Sequence, residues 1–147
     1  MRNALFVIFL IISVQTSAQS YVLDKEQYLN AEEIARVDSM LAAFHKKTGS
    51  VVLMSTDSLD IKSPLYTSEI YQRYFPDSTS STRILMLLMS RKNQYVTMVA
   101  SKPLATYISQ QQMLDMIFAG APALQAKRRE EGVVIILKKA MEALEKH

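Results

Sequence analysis

The chain has no cysteine and no tryptophan, and its 147 residues include only three glycines and four prolines. Without thiols there is no disulfide, no thiolate metal centre and no cysteine nucleophile, so the fold must be held by packing. No glycine-rich phosphate loop, catalytic triad or metal-ligand cluster at recognisable spacing stands out. The two histidines, His45 and His147, lack a carboxylate at triad spacing. An excess of one charge is also missing: 17 Lys and Arg are interspersed with 14 Asp and Glu. Nucleic-acid binding would want a basic stripe with interleaved aromatics, so nucleic acid is not an expected partner. The apolar run near the N-terminus is too short to cross a membrane comfortably as a helix, which takes about 20 residues.

What is present begins at that run. Arg2 precedes the apolar residues 4–12, and Thr16, Ser17 and Ala18 put small residues ahead of Gln19. This is the pattern of a secretory signal peptide. Cleavage is expected between Ala18 and Gln19, leaving a signal over residues 1–18 and one domain over 19–147, periplasmic or secreted. Membrane contact is expected only if the signal is retained as an anchor. A mature chain of about 130 residues suffices to bury a single core. The nine methionines suit gap filling in that core.

Periodicity divides the rest. Residues 21–24 form a short apolar segment that pairs as an edge strand or drapes over the domain. Asn30 and Glu33 then make a capping box ahead of Ile34, Val37, Leu41 and Phe44 at helical spacing, with Gly49 suited to the closing left-handed position. Residues 51–54 read as a buried strand and 56–62 as a loop containing Asp57, Ser58 and Asp60. Ser63-Pro64 opens a helix to about Phe75, and 76–82 is a polar loop. The continuous apolar run 84–89 is a central strand, 91–94 a turn and 95–100 its returning partner. A helix is expected from 102 to Phe118 and another from Pro122 onward, broken at 119–122. Gly132 inside the last helix predicts close packing. Together these elements predict an α/β fold: a small three-layer α/β/α sandwich whose mixed sheet has two parallel strands and an antiparallel hairpin strand.

The order of Val22-Leu23-Asp24, Tyr28-Leu29, Leu41, Thr48-Gly49, Val51-Val52-Leu53, Ser58-Leu59, Ile70-Tyr71 and the apolar hairpin resembles the TPM domain family. The resemblance implies an exported or membrane-tethered α/β/α sandwich. It also implies acid phosphatase activity or calcium binding, which are attributed to some members. This chain departs from the family at residues 75–83, where Arg83 stands in place of an expected small residue.

Ligands of open α/β sheets bind beyond the carboxyl ends of parallel strands. Topology sends the loop with Asp57 and Asp60 and the turn with Arg91 and Lys92 to that rim. Asp57 and Asp60 are candidate oxygen ligands for calcium or magnesium, and Arg91 and Lys92 candidate anion-binding residues. Asp24 joins them only if the fold brings it to the same edge. Two functions follow: a non-catalytic protein-binding or accessory module with a partner at the bacterial cell envelope, or a metal-assisted acid phosphatase.

Overall fold

Two stretches without a charged residue, VVLMST and ILMLLMS, form the centre of a four-stranded sheet. The computed structural model describes residues 20–58, Gln72 and 82–147. Within them β1 (Val22–Asp24), β2 (Val51–Thr56), β3 (Ile84–Ser90) and β4 (Tyr95–Ala100) lie side by side in chain order. β1 pairs parallel with β2, Val22 opposite Met54, and β2 parallel with β3, Val51 opposite Ile84. β4 returns antiparallel, Met98 opposite Leu87. The mixed α/β sheet is as expected, and the segment after Ser20 pairs as an edge strand. Every residue of β2 and β3 is buried, as befits strands covered on both faces.

Helix α1 (Ala31–Thr48) begins at the anticipated capping box: Glu33 N donates to Asn30 Oδ1 at 2.9 Å, and Asn30 N donates to Glu33 Oε2 at 2.8 Å. It ends at Gly49, whose φ of 74° only glycine adopts without strain. Three further helices follow the sheet: α2 (Lys102–Ala105), α3 (Gln110–Gln125) and α4 (Arg129–Glu145). α1 packs on β2 and on α4, and α3 packs on β4 and on α4, so the three long helices share one layer. The helix expected at 64–75, which would build the other layer, lies outside the described residues except for the helical Gln72. Leu41, Val52, Leu85, Leu87, Leu104, Ile136 and Leu137 are all fully enclosed, and Met54, Met86, Met89, Met98 and Met116 fill gaps around them.

The C-terminal half departs from expectation in its breaks. One helix from 102 to Phe118 is replaced by two, because Ser109 starts a new one with its own capping box: it accepts from Gln112 N at 3.1 Å and donates its N–H to Gln112 Oε1 at 2.7 Å. The break expected at 119–122 is absent, and α3 runs through Gly120 and Pro122. Pro122 deprives only the Phe118 carbonyl of its helical donor, and both residues are exposed, so water can serve that oxygen. The chain turns instead at residues 126–128, where Lys127 has a φ of 62°. Gly120 and Gly132 mark the crossing of α3 and α4. A Cβ on Gly120 would sit 2.5 Å from Gly132 O, and one on Gly132 would meet Leu124 Cδ2. The close packing predicted at Gly132 is therefore real.

Candidate functional site

The carboxyl ends of the three parallel strands each release a loop, and the three loops are stitched together by side chains. Asp24 closes β1. Its Oδ1 accepts from Tyr28 N at 2.8 Å and from Thr56 Oγ1 at 2.5 Å, and its Oδ2 from Leu29 N at 2.7 Å. One carboxylate thus curls the 25–29 loop over the end of β1 and ties it to the end of β2. Thr56 in turn accepts from Glu26 N at 3.2 Å.

Lys25 and Glu26 extend the stitching to the ends of the next two strands. Lys25 Nζ lies 2.9 Å from Asp57 Oδ2, an ion pair in which the Asp57 side chain is 5% exposed and the lysine 41%. Glu26 reaches across to the β3–β4 turn, where its carboxylate accepts from Arg91 N at 2.5 Å, Ser90 Oγ at 3.4 Å and Lys92 N at 3.5 Å. Ser90 Oγ accepts from Asn93 N at 3.1 Å, and Asn93 Nδ2 donates to Ser58 O at 3.3 Å. Asp57 N donates to Met89 O at 3.1 Å, which continues the sheet one step past β2.

The loop holding Asp57 and the turn holding Arg91 and Lys92 do meet at one rim, as topology demanded, and Asp24 joins them. Asp60 lies outside the described residues, as does most of the polar loop expected at 76–82. Asp57 is not a solvated loop residue. It is enclosed beneath the lysine, and the backbone of Arg91 and Lys92 already faces the Glu26 carboxylate. Sequence reasoning passed over Lys25, Glu26, Thr56 and Ser90. The signal available was the run Asp24-Lys25-Glu26 directly at a strand end, three charges where an apolar segment stops.

Calcium or magnesium wants six or more oxygens around one point. Among the described residues no three His, Cys, Asp or Glu side chains converge in that way. The carboxylates that are present accept hydrogen bonds from the protein, and Asp57 faces an ammonium group. This described donor set does not fit a resident divalent cation.

Beside the rim runs an open groove of about 930 Å³ between residues 27–34 and residues 127–131. Several of its charges are paired. Arg36 grips Glu130 through Nε at 2.7 Å and Nη2 at 2.9 Å, and Arg128 pairs with Glu131 at 2.8 Å. The Arg129 guanidinium sits 5.1 Å from the centre of the Tyr28 ring. Burial raises the Tyr28 phenol above its ordinary value of 10.0, Arg129 and Arg91 oppose the rise, and Asp24 adds to it. His45 is half-buried and meets the Tyr21 hydroxyl at 2.7 Å, so it fastens β1 to α1.

Residues 22–143, the whole span from β1 through most of α4, match the TPM domain. The chain belongs to the TPM domain family. Three solved structures share the fold of this TPM domain. The N-terminal domain of a protein from P. gingivalis is 14% identical, with a TM-score of 0.71 over 89% of this chain and 85% of that one. The BA42 protein of the psychrophilic bacterium Bizionia argentinensis is 16% identical, with a TM-score of 0.67 over 83% and 85%. The N-terminal domain of cg2496 from Corynebacterium glutamicum is 11% identical, with a TM-score of 0.58 over 86% and 80%. No curated protein matches the chain. At such identities the likeness is one of fold.

Proposed function

We propose that this TPM domain is a non-catalytic accessory module that binds a protein partner at the bacterial cell envelope. The observation that carries the reading is the internal use of the rim. Asp24, Glu26 and Asp57 each bond to neighbouring chain, and Lys25 neutralises Asp57. Groups that brace three loops against one another are poorly placed to bind a substrate phosphate or to activate water, because any such ligand would first have to break the braces. Export by the residue 1–18 signal supports the envelope as the place of work.

Two measurements test the proposal. The purified protein is incubated with p-nitrophenyl phosphate at acidic pH with calcium or magnesium, alongside Asp57→Ala. Both are expected to release phosphate at the buffer rate; a wild-type rate that drops severalfold in the variant overturns the proposal in favour of a metal-assisted phosphatase. Cross-linking in intact cells is expected to give one discrete adduct with an envelope protein, and its absence counts equally against the reading.

A further inference from the structure

Among the described residues β4 ends the sheet, and the polarity of its backbone alternates. Ser101 N donates to Ile84 O at 2.8 Å, which fixes those two residues as a bonded position of the antiparallel ladder. By the register, Thr97 and Val99 also turn their N–H and C=O groups toward β3. Val96, Met98 and Ala100 therefore turn theirs outward, with no partner among the described residues. Proteins ordinarily blunt such an edge with charges, a proline or a bulge. β4, with the sequence YVTMVA and an unbroken register, has none of these.

Along this edge runs a groove of about 400 Å³ between β4 and α3, lined in part by Thr97, Val99, Ile108, Met113, Leu114 and Ile117. None of its lining residues is charged. Leu114 is 40% exposed, and Phe118, one turn further along α3, is 62% exposed. The two ends of β4 are basic: Arg91 and Lys92 are exposed in the turn before it, and Lys102 is exposed just after it.

These features specify the occupant. Outward groups on alternate residues pair with extended chain and not with a helix. The uncharged lining calls for uncharged side chains in the middle of the occupant, and the basic ends call for acidic residues beside them. A second copy of β4 fails that requirement, since in either direction its own Arg91, Lys92 and Lys102 would face cations. We propose that the β4–α3 groove docks an extended peptide segment of another protein, apolar over about five residues and acidic at both ends, which joins the sheet as an added strand. This rests on reading the domain as a protein-binding module and gives that binding its surface.

The test is amide exchange on the purified protein, followed by NMR, with a capped synthetic probe in which valine and threonine alternate between two terminal aspartates. Exchange at Val96, Met98 and Ala100 is expected to slow, while Thr97 and Val99 do not change. A probe with lysines replacing the aspartates is expected to bind about tenfold more weakly. Val96→Pro removes an outward N–H that β3 does not use, and Leu114→Lys charges the groove from an exposed helix position. Each is expected to weaken the probe about tenfold, with Leu114→Lys the deciding variant if Val96→Pro fails to fold. Protection that does not alternate, equal binding of the two probes, or an unchanged affinity in Leu114→Lys overturns the proposal. So does alternate protection without probe that grows with protein concentration, the mark of a second copy. In Leu114→Lys, weakened probe binding with a persisting envelope adduct refutes the groove as the partner's surface; in the unsubstituted protein, probe binding without any envelope adduct refutes the envelope reading alone.

Discussion

Asp24 illustrates how much one side chain can organise. Asp24→Ala strips three donors of their acceptor at once, two of them backbone N–H groups in a half-buried loop. Urea unfolding is expected to show a loss of about 2–4 kcal/mol, because unsatisfied donors cost more than the average bond contributes. Glu130 is governed by charge. The hydrogen bonds from Arg36 hold its carboxyl below the ordinary value of 4.5. A depressed carboxylate contributes stability that is present above the unfolded value and is lost as pH falls through the lower folded value. The melting temperature is therefore expected to fall with acidification across that window, and to fall less in Glu130→Gln. The pair is exposed, so the difference is small and shrinks with added salt.

At the scale of elements, two glycines separate two kinds of constraint. Gly120→Ala drives a methyl group against Gly132 O and Ile136, forcing α3 and α4 apart, and is expected to cost about 1–3 kcal/mol. Gly49→Ala meets no atom within 4 Å, yet its φ of 74° still penalises a side chain by about 1 kcal/mol. Thermal melts of both variants check the ranking. The caps of α1 and the apolar runs of β2 and β3 were legible in the sequence because each is a local signal read over a few residues. The course of α3 was not. Proline and glycine inside it resembled a break, and only the crossing with α4 and the solvent-facing Phe118 carbonyl explain why it continues. Ser109, a local cap, was readable and was passed over.

At the scale of the molecule, the strand order placed Asp57 beside the basic turn, and this much could be read from topology. The stitching could not, because Asp24 and Ser90 end different strands, Glu26 lies in a loop, and only closure of the fold brings the three together. The same closure encloses Met54, Met86, Met89, Met98 and Met116, the soft fillers of a chain that holds no thiol. Hydrogen peroxide, finding no cysteine to consume it, must turn to thioether sulfur, and these five are shielded until the domain opens. Sulfoxide formation at Met54, followed by peptide mass spectrometry, is therefore expected to keep pace with global opening and to accelerate in Gly120→Ala. The chain carries its own clock for how often it comes apart.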